Sequence, residues 1–387
     1  MLKKESFLYI CAFLMDGCFA LIGLCIPLLA LQMDATYDDL GSISAVGALA
    51  YSVSCLISGR LSDYIGYRRV MAIACCMVAI IFTAYLFISQ IWHLAVLSAL
   101  MGLTISNFWP PLQAWLGQRK TQHELRQSLG RFNIAWSSGF IVGPALGGNL
   151  FETHPQIAFA MCACISSFIS LGLLYFTIRE TASSVASTPQ TSSPHPQARQ
   201  FLQMAWLANF ATFFSIGTVR SLFPKLATDM GISPGHIGYL VALLAVAQLI
   251  TFYFMAQTER WQFKLGPIVG AQLVAFLGLS LIALSHHAVL FAIGLFLQGM
   301  LAGVTFTVSI FYSLQTEGPG GRRTGIHEAI VGSGFLVGPF AGGLVGEYLG
   351  ERAPYWLAAV MIIFTMMIQV VVLSKKSTQK FVPQAGD

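Results

Sequence analysis

The 387-residue chain combines 56% hydrophobic residues with only 10% charged ones, a net charge of +5 and a mean hydropathy of +0.71. A soluble domain carries about 25% charged residues, so this composition excludes a globule wetted on every side. The small positive excess is accounted for by loop topology and calls for no nucleic-acid partner.

Twelve apolar runs are long enough to cross a bilayer: 7–31, 40–59, 70–89, 92–116, 130–151, 156–178, 201–224, 236–256, 265–285, 287–315, 326–347 and 354–374. They predict an all-α integral membrane protein with a six-helix half over 1–178, a flexible linker over 179–200, a second six-helix half over 201–378 and a tail over 379–387. The linker assignment rests on the Ser/Thr/Pro/Gln-rich stretch between the sixth and seventh runs, which lacks large apolar residues. If both ends are cytoplasmic, all of the 21 Lys and Arg residues except Arg220, Lys225 and Arg352 fall on cytoplasmic segments or adjacent helix ends. That asymmetry predicts a multi-pass protein of the cell (inner) membrane with both termini inside.

The first run follows Lys3-Lys4, but it is too long for a cleaved leader and shows no small-residue cleavage site, so it reads as a retained helix. Asp16 lies well inside it, roughly 14 Å deep at about 1.5 Å per residue. An ionisable group there costs several kcal/mol unless paired or hydrated. Two readings follow for Asp16: a carboxyl that exchanges protons, or a fixed hydrogen-bonded or ion-paired one. The eight cysteines all lie in the first half and within apolar runs, with Cys11, Cys18 and Cys25 recurring along one face. They read as packing residues, with soft-metal or thiol chemistry as the alternative. No metal-ligand cluster, phosphate-binding loop or catalytic constellation is recognisable, so no cofactor and no enzymatic activity are expected, and any driving energy comes from a gradient.

Between the second and third runs stands Gly59-Arg60-Leu61-Ser62-Asp63-Tyr64-Ile65-Gly66-Tyr67-Arg68-Arg69. This G-x-L-x-D-x-x-G-x-R-R pattern, after the second of twelve runs, resembles the signature of the major facilitator superfamily. The resemblance covers the whole chain and implies the fold of two pseudo-symmetric halves that alternate access to a central site. It implies that Gly59, Asp63, Gly66, Arg68 and Arg69 form a cytoplasmic latch that breaks during transport. Independently of the family, the glycines permit a tight turn, and Asp63 can pair with an arginine or favour a helix N-terminus. The matching loop of the second half, Ala256 to Trp261, has lost the pattern.

The fourth run contains Asn107, Trp109 and Gln113, and the fifth adds Asn133 and Trp136. Mixed aromatic and amide groups suit an amphiphile-binding cavity, although each residue can equally be a packing element. The fifth run then reads Ser138-Gly139-Phe140-Ile141-Val142-Gly143-Pro144-Ala145-Leu146-Gly147-Gly148, and the eleventh repeats it as Ser333-Gly334-Phe335-Leu336-Val337-Gly338-Pro339-Phe340-Ala341-Gly342-Gly343. Glu152 and Glu347 extend the match outward, and Gly41 corresponds to Gly238 in the flanking helices. Glycines four apart allow close helix contact, and Pro144 and Pro339 each remove a backbone donor. In the fifth helix the segment resembles the family's antiporter motif. Gly139, Gly143, Pro144, Gly147, Gly148, Gly334, Gly338, Pro339, Gly342 and Gly343 are therefore expected on helices that close an external gate.

Arg220 lies in the outer part of the seventh run, where it either binds an anion or a carboxylate across the cavity, or snorkels to the interface. His327 and Glu328 open the eleventh run, either as a titrating pair facing the cavity or as residues suited to a helix N-terminus. The surroundings of Asp16, including the later Ile26-Pro27-Leu28-Leu29, resemble the first helix of drug–proton antiporters, although the fourth run lacks the arginine common there. The expected function is a secondary transporter for a small organic solute, with Asp16, Glu328 and His327 handling protons. A proton-coupled exporter leads this reading, with an uptake carrier for a metabolite or anion as the alternative. The expected partners are the solute, protons and lipid, and the expected state is monomeric.

Overall fold

The computed structural model describes residues 2–117, 122–178, 197–315 and 320–379. Thirteen α-helices run through them: α1 (Leu2–Leu31), α2 (Tyr37–Ile65), α3 (Tyr67–Ala84), α4 (Ile91–Ile105), α5 (Trp109–Gly117), α6 (Gln122–Thr153), α7 (Pro155–Ile178), α8 (Ala198–Asp229), α9 (Pro234–Gln257), α10 (Gly266–Leu284), α11 (Ala288–Gln315), α12 (Gly320–Leu349) and α13 (Ala353–Gln379). Most of the linker expected over 179–200 and the tail from residue 380 lie outside the described residues.

Thirteen helices make twelve passes because the fourth run, expected as one helix, is broken into α4 and α5. Pro110 and Pro111 have no N–H to give the carbonyls of Ser106 and Asn107, so the helix must stop and restart. Asn107 Nδ2 donates to the Leu103 carbonyl at 2.9 Å and covers one of the carbonyls at the break. Both α6 and α8 extend beyond their apolar runs, α6 by about two turns on the side where it starts.

With an even number of passes, both chain ends lie on one face, the terminal face, and the opposite one is the distal face. The halves are α1–α7 and α8–α13, and they repeat local detail. Ala35 N–H donates to Ala30 O at 3.1 Å past the end of α1, and Ile232 N–H donates to Ala227 O at 2.9 Å past the end of α8. In each turn one residue adopts a left-handed conformation, Asp34 at φ 60° and Gly231 at φ 76°. A shared turn geometry at equivalent positions is what duplication of one six-helix unit leaves behind.

The halves meet along two distal seams, α2 against α12 and α6 against α9. A Cβ added to Gly41 of α2 would strike the Pro339 carbonyl and come within 3.0 Å of Gly343 Cα. A Cβ on Gly238 of α9 would strike the Pro144 carbonyl and come within 3.2 Å of Gly148 Cα. Backbones this close require glycine on both sides. The other repeat glycines do not face the seam. Gly139, Gly143 and Gly147 press on α1 at Phe13, Gly17 and Leu21, while Gly334, Gly338 and Gly342 press on α8 from Phe210 to Leu222. Each glycine–proline helix is thus narrow on two faces, one packed within its own half and one against the other half. Of the glycines expected on the gate helices, Gly148 and Gly343 meet the opposite half, and the others pack within their own.

Candidate substrate cavity and its charged groups

A cavity of about 330 Å³ lies between the halves, lined by α1, α2, α3, α4, α6, α8, α9 and α12 and by Trp109 of α5. Its walls are mostly apolar, and Asp16 and Arg220 are its charged residues among the described ones. Asp16 sits at the middle of α1 and is only 5% exposed. Arg220, on α8, is the cation that the sequence left without a partner. Its guanidinium lies over the Phe140 ring of α6 at 4.3 Å, so it reaches across to the first half. Its Nε is buried without a hydrogen-bond partner. Asp16 and Arg220 interact electrostatically through the cavity without closing an ion pair within 4.0 Å. A carboxylate and a guanidinium thus both remain available to a third party. Ser44 and Ser221 line the same space and join the halves by a hydroxyl contact of 2.7 Å.

Glu328 has a different setting from the one its sequence position suggested. Because α12 begins at Gly320, Glu328 lies in the third turn, away from the helix N-terminus. Its Oε2 accepts from Tyr51 Oη of α2 at 3.0 Å, and Gln113 of α5 bonds it too. A carboxylate of the second half is thereby held by two donors of the first, on the terminal side of the cavity, and its charge is felt by Asp16.

His327 points elsewhere. It is 2% exposed, its Nδ1 is 2.8 Å from Ser309 Oγ of α11, and its ring stands edge-on to Phe306 at 5.2 Å. The neighbours His327 and Glu328, about 100° apart around the helix, therefore serve different surfaces and do not form the pair that sequence adjacency offered.

Trp109 lines the cavity, whereas Asn107 is occupied at the helix break. Asn133 Oδ1 accepts from Trp136 Nε1 at 3.0 Å. The Trp136 ring meets Phe140, Phe252 and Phe306 at 6.0, 5.8 and 5.7 Å, forming an aromatic wall between α6, α9 and α11. Tyr51, Phe140, Phe252 and Phe306 complete this arrangement, and nothing in their local sequence marks them off from other membrane aromatics.

In the loop between α2 and α3, Gly66 takes φ 96°, a conformation that favours glycine, and donates its N–H to Ser62 O at 3.0 Å. Arg68 stacks over Trp115 of α5 at 4.4 Å, and Arg69 is exposed. Gly59 lies in the last two turns of α2, and the Asp63 side chain lies outside the described ones. At the equivalent place in the second half an aromatic cluster stands beside Glu259, Arg260 and Lys264. Tyr312 Oη accepts from Phe263 N–H at 2.6 Å, and Phe201, Phe263, Trp261 and Phe311 pack around it.

The eight cysteines are free thiols. Cys25 Sγ approaches Gly147 O at 3.7 Å and Cys162 Sγ approaches Cys18 O at 3.9 Å, contacts that tie α1 to α6 and α7. Among the described residues no group of His, Cys, Asp or Glu could hold a metal ion.

A family profile described as Major Facilitator Superfamily matches residues 8–203 and 205–386. The chain is 24% identical over 379 residues to the multidrug resistance protein MdtG of Proteus mirabilis (strain HI4320), covering 91% of this chain and 92% of that protein. It is 27% identical over 190 residues to the quinolone resistance protein NorA of Staphylococcus aureus (strain Mu50 / ATCC 700699), a match to 45% of this chain and 47% of NorA. Among solved structures, a bacterial homologue of the human lysosomal transporter Spinster, inward-facing and occupied, superposes with a TM-score of 0.75 at 12% identity, covering 98% of both chains. The nucleoside transporter NupG superposes with a TM-score of 0.73 at 10% identity over 95% of this chain and 99% of its own.

Proposed function

The chain belongs to the major facilitator superfamily and is a multi-pass membrane transporter rather than an enzyme; on that premise we propose that it exports small amphipathic molecules in exchange for protons. The observation that carries this reading is the open Asp16–Arg220 arrangement in an otherwise apolar cavity at mid-membrane. Two carboxyls, Asp16 and Glu328, stand against one guanidinium, Arg220. With both acids ionised, the region carries one surplus negative charge, which suits a cationic group on the solute. A proton arriving on Asp16 cancels that surplus, so cation and proton compete for the same charge. Competition of this kind is what exchange requires, because the two ligands must not ride together. Trp109, Phe140 and the remaining apolar lining supply the surface for the solute's non-polar body.

The two curated relatives are named for multidrug and quinolone resistance, which supports export and an amphipathic cargo. The distribution of Lys and Arg supports a cytoplasmic terminal face. On this reading the twin seams close the external side, the Gly59–Arg69 segment latches the internal side, and the halves rock against each other. The transporter works as a monomer, since each chain contains a whole cavity.

One observation favours a second reading. The buried Arg220 Nε has no partner and would welcome a carboxylate or phosphate, as an anion uptake carrier needs. Proteoliposomes with an imposed pH gradient separate the two, with ethidium and a quinolone as probes. Export by exchange predicts probe movement opposite to proton flow, and loss of gradient dependence in Asp16→Asn. Probe movement in the same direction as protons establishes the uptake carrier, and movement indifferent to both gradient and mutation removes proton coupling.

A further inference from the structure

The sequence repeat extends to Glu152 and Glu347, which the transport reading leaves without a task. Both lie at the distal ends of the glycine–proline helices, and both reach across to the other half. Glu347, on α12, accepts the N–H of Tyr37, the first residue of α2, at 3.1 Å. Glu152, on α6, accepts the N–H of Gly235 in the first turn of α9 at 3.0 Å and the Ser233 hydroxyl at 3.3 Å. A carboxylate among the free N–H groups of a helix start gains from those donors and from the helix dipole. Glycine at 235 leaves room for this contact, because a Cβ there would come within 2.7 Å of Glu152 Oε2 and displace the carboxylate.

We propose that Glu152 and Glu347 are the positioning residues that hold the distal seams shut, a reciprocal pair of carboxylate clasps. Each clasp caps a helix of the half to which it does not belong, so its hydrogen bonds exist only while the seam is closed. A cap from within the same half survives every conformation and so favours none. The Glu347 clasp lies among further contacts that cross the same seam. Lys225 of α8 stands 5.3 Å from the Tyr37 ring, and a Cβ on Gly346 would come within 3.1 Å of that ring.

The two clasps differ in one instructive respect. Helix α2 already carries a complete capping box of its own, with Asp39 N–H donating to Thr36 Oγ1 at 3.1 Å and Thr36 N–H donating to Asp39 Oδ2 at 2.9 Å. Helix α9 has no such device, because Ser233 makes no side-chain cap to its own helix. Its hydroxyl contacts Glu152 and the His236 ring instead. Glu152 therefore does for α9 what Thr36 and Asp39 do for α2, and in addition it bridges the halves. The Glu152 clasp carries the larger share of the closing preference.

The test uses pulsed electron resonance distances in the full-length protein, in a background lacking Cys76 and Cys164, the two exposed cysteines. One label pair, Gln32→Cys with Leu349→Cys, spans the α2/α12 seam, and another, His154→Cys with Tyr239→Cys, spans the α6/α9 seam. Glu152→Ala is expected to shift the closed-to-open ratio by roughly tenfold, the loss of a charge-assisted hydrogen bond. Glu347→Ala moves it in the same direction by less. Glu152→Gln, of nearly the same shape and with an acceptor oxygen retained, gives a smaller shift than Glu152→Ala and guards against misfolding as the cause. Wild-type distances in both Glu152→Ala and Glu152→Gln overturn the proposal. Because the readout is a distance, it stands apart from whether protons drive transport.

Discussion

The α2/α12 and α6/α9 seams are built alike, while the cavity they enclose is not. Gly41, Pro339, Gly343 and Glu347 in one seam have Gly238, Pro144, Gly148 and Glu152 as counterparts in the other, and the contacts correspond as well as the residues. The charged residues of the cavity show no such correspondence, although Phe140 and Phe335 match across its lining. Arg220 stands where the first half has Gly23, which also lines the cavity and has open space beside it. Asp16 corresponds to Phe213, and Glu328 to Asn133. A gate that must meet itself across a pseudo-two-fold axis gains from duplication. A charged site gains from asymmetry, because a second Asp16 or Arg220 would have to be neutralised in turn.

Five substitutions can break or sharpen this contrast. The largest effect is expected for Asp16→Asn, which should abolish gradient-driven transport in the liposome assay while leaving both seam distances as in the wild type. Next are Gly41→Leu and Gly238→Leu. Each drives a side chain into a proline carbonyl, and overpacking of this kind costs about 1–3 kcal/mol. The two should open the distal face by similar amounts in distance measurements, and a large inequality would break the claimed equivalence of the seams.

A smaller change is expected from Arg352→Ala, on the distal loop between α12 and α13. Arg352 donates to the carbonyls of Ile282 at 3.0 Å and Ser285 at 2.6 Å at the end of α10. Its loss should lower thermal stability in detergent by about 2 kcal/mol without altering proton coupling. The same geometry accounts for one of the three cations set apart from the positively charged side: Arg352 ties loops together. Lys225, another, pairs with Asp229 at 3.5 Å. The smallest effect is expected for Tyr51→Phe. One donor to Glu328 is removed while Gln113 stays, weakening closure of the terminal face by on the order of 1 kcal/mol, which labels on that face would detect.

The fold was largely readable from the sequence, since run length, charge asymmetry and the glycine–proline repeat are each local or periodic signals. Its main departure, the break between α4 and α5, follows from Pro110 and Pro111, whose effect on the backbone a hydropathy count does not register. The site was legible only in part. Asp16 and Arg220 were conspicuous as charges in apolar runs, but their meeting in one cavity depends on how α1 and α8 are placed. His327 and Glu328 looked like a pair because they adjoin in sequence, and helical rotation sends them to different partners. Tyr51 carries no charge and no motif, so only its 3.0 Å contact with Glu328 singles it out. The role of the repeat glycines depended on which helix each one faces, and two helices compete for every such segment.

The central claim is that the unduplicated cavity residue Asp16 exchanges a proton against substrate while the duplicated seams only open and close. Proton release on ethidium binding to the purified protein, followed with a pH indicator in weakly buffered solution, tests it most directly. The wild type and Glu152→Ala should release protons as ethidium binds, and Asp16→Asn should bind ethidium without release. Undiminished proton release from Asp16→Asn would contradict the account.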